Sequence, residues 1–79
     1  MNNSPDIVFI FWERNQSDRR APRRIVQATV IGSANPCRNL LNPNDRFSRA
    51  QRCLLDNGFE REIQEEFGNF GVSVFVRSS

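Results

Sequence analysis

The sequence predicts an α+β fold: a three-stranded antiparallel sheet of order 2-1-3 with two short helices on one face, in the order β-β-α-α-β. Three observations carry that expectation. Residues 6–32 read as strand, basic loop, strand: DIVFIFWE (6–13), NQSDRRAPR (15–23) and RIVQATVIG (24–32). Residues 45–67 place apolar side chains at helical spacing on either side of Asn57-Gly58. VSVFVR (72–77) alternates as a closing strand does.

In chain order, residues 1–5 (MNNSP) form a flexible polar lead-in, and Pro5 biases Ser4 towards an extended conformation. The strand that follows is apolar on both sides, with Ile7, Phe9 and Phe11 against Val8, Ile10 and Trp12. Such a strand belongs in the middle of its sheet. The next strand is half-buried, with Val26, Ala28 and Val30 opposite Gln27 and Thr29. Residues 33–45 make a loop punctuated by Pro36 and Pro43 and anchored by Leu40 and Leu41.

A helix over 45–56 is expected next, capped by Asn44 or Asp45. Phe47, Ala50 and Leu54 share one of its faces, while Phe59, Ile63 and Phe67 fall on the opposite side at about 100° per residue. The chain therefore turns at Asn57-Gly58. A second helix over 59–67, closed by Gly68, is expected to follow, and Gly71 leads into the last strand. There Val72, Val74 and Val76 face one way and Phe75 the other. Helices cover only one face of this sheet. Trp12 or several phenylalanines are left near solvent on the other, unless the 33–45 loop folds over them. Exposed apolar area on a small domain usually marks a partner's surface.

Composition narrows the function. Seventy-nine residues make one domain, 1–79, with 38% apolar residues and a small core. A chain this short buries only about 60% of its unfolded surface, which leaves little material for a water-excluding catalytic pocket. There is no His and no Tyr, so the commonest general base and metal ligand is absent. Cys37 and Cys53 lack CxxC spacing, which argues against zinc. No signal peptide and no membrane-spanning run is apparent. The expectation is a cytoplasmic protein with reduced thiols, Cys53 at the core edge and Cys37 exposed, in which the NQS sequon at 15–17 carries no meaning. Catalytic residues, metal and cofactor are all expected to be none.

Charge is unevenly divided. All eleven basic residues are arginine, a choice that suits bidentate contact with phosphate or carboxylate and that base composition of the gene would also produce. Residues 14–24 set five arginines against Asp18, a pole of +4, and residues 56–66 set five carboxylates against Arg61, a pole of −4. Arg14, Arg19, Arg20, Arg23 and Arg24 on the loop, with Arg46, Arg49 and Arg52 opposite the Phe47/Leu54 face of the first helix, are the candidate partner-binding cations. Trp12 and Phe75 are the candidate apolar anchors.

Two motifs invite chemistry. REIQEEFG (61–68) resembles the second half of the Nudix hydrolase box, REUxEExGU, which implies metal-binding glutamates at Glu62, Glu65 and Glu66. The resemblance covers eight residues. The remaining pattern requires Gly, Glu and an apolar residue where this chain has Phe47, Cys53 and Asn69, so the reading that follows is of solvated glutamates on an amphipathic helix. A helix-turn-helix over 46–67 is disfavoured because its second helix would carry four glutamates towards phosphate. The leading expectation is a small non-catalytic binding protein that docks on a protein complex or nucleoprotein, of the kind phages and mobile elements encode to inhibit a host complex. A nucleic-acid-binding accessory protein using the arginine loop is the alternative, and self-association into a homodimer is a third way to cover the sheet.

Overall fold

A computed structural model describes residues 4–15, 17, 18 and 20–78. Its elements are β1 (Asp6–Glu13), β2 (Arg24–Ile31), a 3-10 turn (Arg38–Leu40), α1 (Phe47–Asp56), β3 (Glu60–Phe67) and β4 (Phe70–Arg77). The strands form one antiparallel sheet of order β2-β1-β4-β3. The small α+β class holds, and β1 lies inside the sheet as its two apolar faces require. The sheet, however, has four strands where three were expected, and α1 is the one helix longer than a single turn among the described residues. The first three residues of the expected lead-in lie outside the described residues.

The correction falls on residues 59–67, which extend the sheet as β3. The apolar spacing there is four residues, and four is a multiple of the strand period as well as close to the helix period. Phe59, Ile63 and Phe67 therefore fit either state. What decides is the neighbour: Phe67-Gly68-Asn69-Phe70 forms a two-residue turn with φ +66 at Gly68 and no positive φ at Asn69, as a type II′ hairpin requires. Once the hairpin forms, β3 satisfies its backbone by pairing with β4 from Glu60↔Val76 to Phe67↔Phe70. A bulge between Arg61 and Ile63 then splits the apolar set. Phe59 turns into the core, while Ile63 and Phe67 turn outward.

The helix forms for the anticipated reason. Phe47, Ala50 and Leu54 are its buried stripe. It starts later than expected, at Phe47, with Arg46 in the cap position and no side-chain cap. Asp45 is occupied otherwise, its carboxylate accepting the Asn42 backbone N–H at 3.0 Å. The far end is at Asn57-Gly58, where the Phe59 N–H donates to the Leu54 carbonyl at 3.0 Å, the long-range bond of a Schellman closure.

One face of the sheet holds the core. Val8, Ile10 and Trp12 of β1 lie beside Phe75 and Ser73 of β4, and Ile25 joins them from β2. Helix α1 and the 33–45 loop cover this same face, with Ala34, Cys37 and Leu41 packed into the cluster. Trp12 sits directly across from Gly71, whose missing side chain is what gives the indole its place. The indole Nε1–H donates to Ser73 Oγ at 3.2 Å, and that hydroxyl donates to Gln64 Oε1 at 3.2 Å, so the buried indole and hydroxyl are both paired.

One tie holds the parts of the cover to each other, and a second holds the cover to the sheet. Cys37 and Cys53 form a disulfide with a Cα–Cα distance of 5.8 Å, joining the loop to α1 across 16 residues. This corrects the expectation of reduced thiols, and Cys37 is buried rather than exposed. Folding places the two side by side because Cys37 follows Ala34 into the core while Cys53 lies on the α1 flank next to Leu54. Closing a loop of that length is worth about 3 kcal/mol in the chain-entropy account.

The second tie is Arg77. Its guanidinium pairs with Asp6 at 2.9 Å and donates to the carbonyls of Asn35 at 3.0 Å, Asn57 at 3.1 Å and Ser33 at 3.3 Å. It also lies over the Phe59 ring at 4.3 Å. One side chain thus joins the end of β4, the start of β1, the loop and the C-terminus of α1. The backbone N–H of Ser33, together with Arg77, holds the Asp6 carboxyl below the usual aspartate range.

Three outcomes follow from this packing. Arg77→Met should destabilise the fold by about 2–4 kcal/mol from the three carbonyls that lose a donor, read by chemical denaturation. Asp6→Asn should lower stability at neutral pH. Because the folded pKa of Asp6 is depressed, its contribution is full above about pH 4 and is lost as pH falls through the folded value, so the gap to wild type should close in acid. Gly71→Ala should cost about 1–3 kcal/mol, since a Cβ there meets the Trp12 indole and lies 2.6 Å from the Glu65 carbonyl oxygen. Thermal melting measures it, with a fall of roughly 4–8 °C per kcal/mol for a domain of this size.

Candidate functional site

The uncovered face of the sheet is built from the alternate residues of the same strands. Opposite the core, β1 presents Ile7, Phe9, Phe11 and Glu13, and β4 presents Phe70, Val72, Val74 and Val76. On the flanks, β2 adds Gln27, Thr29 and Ile31, and β3 adds Glu60, Ile63, Glu65 and Phe67. Phe11 is 45% exposed, Phe67 53% and Phe70 56%, and Ile31 and Ile63 are about half exposed. Phe67 and Phe70 lie ring against ring at 5.6 Å across the turn. The centre of this face is apolar, and its charged members in register are the carboxylates Glu13, Glu60 and Glu65, with Arg24 paired to Glu13 at one corner.

Trp12 and Phe75, the expected anchors, are not on this face. They are 1% and 0% exposed and belong to the core, because the helix packs on the even-numbered side of β1 and Val8 pairs with Phe75. The 33–45 loop covers that same side, so among the described residues the opposite face carries neither helix nor loop. Sequence reasoning missed Ile31, Ile63, Phe67 and Phe70 as surface residues. The signal that could have found the last two is the Gly-Asn pair between phenylalanines, which is a hairpin signature.

The helix arginines lie on the other side of the molecule. Arg46, Arg49 and Arg52 are exposed at the start and along the outer surface of α1. The loop arginines reach them through an isolated bridge between Arg24 and Arg46, and Arg24 Nη1 donates to the Asn44 carbonyl at 3.3 Å. Arg20 is exposed, and Arg19 lies outside the described residues. Two members are engaged in the fold. Arg23 is stacked on Phe47 at 4.7 Å and Trp12 at 5.0 Å, sealing the core edge. Burial first, and Arg14 next, lower its pKa, with Glu66 raising it and Arg61 lowering it further. The guanidinium stays charged at neutral pH nonetheless. Arg14 is half-buried with its Nε shielded from solvent and without a hydrogen-bond partner.

The other sequence motifs resolve into structure. Glu65 and Glu66 of the Nudix-like stretch sit on opposite faces of β3, and Glu62 is at the bulge, so the three do not converge. Among the described residues, no group of three His, Cys, Asp or Glu side chains is placed to hold a metal. No helix of the described residues is long and apolar enough to cross a membrane. An open cleft of about 550 Å³ lies beside the disulfide, lined by Leu40, Arg49, Arg52, Cys53, Asp56 and Asn57. Compared with protein-family models, curated proteins and solved structures, the chain matches none, so its geometry is the ground on which a function can be argued.

Proposed function

We propose that this chain is a non-catalytic docking protein that binds a protein partner through the uncovered face of its sheet. The observation that carries the reading is the apolar centre of that face, formed by Phe9, Phe11, Phe70 and Val72 around the buried Val74 and flanked by Ile31, Ile63 and Phe67. Burying such area against a matching surface is the dominant favourable term in protein association. The carboxylates at Glu13, Glu60 and Glu65 specify the complement: an apolar patch bordered by basic side chains. They also disfavour nucleic acid on this face, because phosphate would meet three negative charges.

The reading keeps the earlier expectation of a binding protein and moves its anchors from Trp12 and Phe75 to Phe11 and Phe70. An inhibitor that acts by occupying a surface of a host complex is the form of docking protein that fits the size and divided charge. A cytoplasmic setting belongs to that form, and there the disulfide would stand against reducing conditions. The second reading, nucleic-acid binding, draws on one observation: Arg24 and Arg46 are bridged, and Arg46, Arg49 and Arg52 continue from them as exposed cations. That surface lies behind the sheet, so the two readings are separable by mutation.

The test compares Phe11→Gln/Phe70→Gln with Arg46→Ala/Arg49→Ala/Arg52→Ala in nuclease-treated pull-downs, followed by titration of the purified partner. The docking reading expects one stoichiometric protein whose affinity falls at least about 30-fold in the phenylalanine variant and stays within a few-fold in the arginine variant. Nucleic acid recovered without nuclease and lost in the arginine variant, with a salt slope that drops by about one for each phosphate contact removed, would favour the second reading. A wild-type dimer in sedimentation that the phenylalanine variant converts to monomer would assign the face to self-association.

A further inference from the structure

The disulfide is asymmetric in its surroundings. Cys37 is fully buried in the core cluster, while Cys53 is half-buried and lines the open cleft between α1 and the 3-10 turn. Arg49 and Arg52 flank that cleft on the helix, against the single carboxylate of Asp56. Asn57, also in the cleft lining, stands beside the bond. Its Nδ2 donates to the Cys53 carbonyl at 2.8 Å and lies 3.7 Å from Cys53 Sγ and 3.9 Å from Cys37 Sγ. An amide donor in that position stabilises negative charge arriving on either sulfur.

From this arrangement we infer that Cys53 is a modification site for small acidic thiols of the glutathione class, which enter through the arginine-flanked cleft and open the disulfide in the folded protein. Thiol exchange proceeds by attack of a thiolate on one sulfur, at a rate set by access and by the concentration of thiolate at the bond. Access favours Cys53. The cleft's net positive charge raises the local concentration of an anionic thiol over a neutral one. The incoming thiolate forms a bond to Cys53 Sγ while the Cys37–Cys53 bond breaks, and the electron pair leaves on Cys37 Sγ, where Asn57 Nδ2 is at hand and a proton from water completes the thiol. A second acidic thiolate then attacks the mixed disulfide at the small-molecule sulfur, releasing Cys53 as thiolate. Two small thiols are thereby oxidised to their disulfide, and the protein disulfide is reduced by two electrons. The freed loop loses its covalent tie to α1 but keeps Arg77 on the Asn35 and Ser33 carbonyls, so opening loosens the cover without unfolding the sheet.

The experiment measures reduction of the intact protein by glutathione and by neutral β-mercaptoethanol at low ionic strength, with acid-quenched peptide mapping of the adduct. Wild type and Arg49→Glu/Arg52→Glu are compared, and the ratio of the two rates is read on each protein, so that a change in fold, which alters both rates together, does not imitate the effect. The expected result is a rate first-order in thiol, an adduct on Cys53, and a glutathione-to-β-mercaptoethanol ratio that falls about fivefold in the variant and in wild type at high salt. An adduct on Cys37, a rate independent of thiol concentration, or an unchanged ratio would overturn the assignment.

Discussion

A four-stranded sheet has two faces, and among the described residues this chain brings one ten-residue helix and one loop to cover them. Both pack on the same side, over Val8, Ile10, Trp12 and Phe75. Using residues 60–67 as a strand makes the imbalance larger, because β3 widens the sheet instead of shielding it. Its bulge then sends Phe59 to the core and Ile63 and Phe67 to the open side. The exposed apolar face is therefore a consequence of how the chain is allotted among its elements. It is also the reason the binding reading is favoured over others.

Cover on a single side has to be fixed firmly, since the described residues supply no second layer to hold it in place. The Trp12–Gly71 fit positions the indole, Phe47 packs against it at 5.8 Å, and Arg23 closes the edge. At the opposite end Arg77 and Asp6 gather four chain segments, and the disulfide joins the loop to the helix. Arg61 Nη1 adds a bond to Gln51 Oε1 at 3.0 Å between β3 and α1. Polar and covalent ties of this kind compensate for the small apolar core that a domain of this length can assemble.

Charge follows the same division. The uncovered face carries carboxylates around an apolar centre, while exposed arginines run along α1 on the reverse side. Arginine serves two purposes here: Arg23 and Arg77 build the fold through stacking and carbonyl contacts, and Arg46, Arg49 and Arg52 remain free to meet another molecule. The guanidinium's flat, weakly hydrated plane suits the first purpose, and an ammonium would not replace it.

Much of this was legible in the sequence. The double-sided apolar pattern of residues 7–12 marks an interior strand, Phe47, Ala50 and Leu54 mark a helix, and Asn57-Gly58 marks its end. The separation of basic and acidic segments needs only a count. The apolar spacing of residues 59–67 left their state open, because a spacing of four satisfies strand and helix alike, and only the Gly68-Asn69 hairpin to β4 chooses between them. Nor could the sequence say which side of β1 would be buried: alternation distinguishes two faces without ranking them. That choice was made when the helix and loop met the Trp12–Gly71 side, and it moved the candidate surface from Trp12 and Phe75 to Phe11 and Phe70. The pairing of Cys37 with Cys53 likewise waited on tertiary structure, since a spacing in sequence carries no distance until the loop folds against the helix.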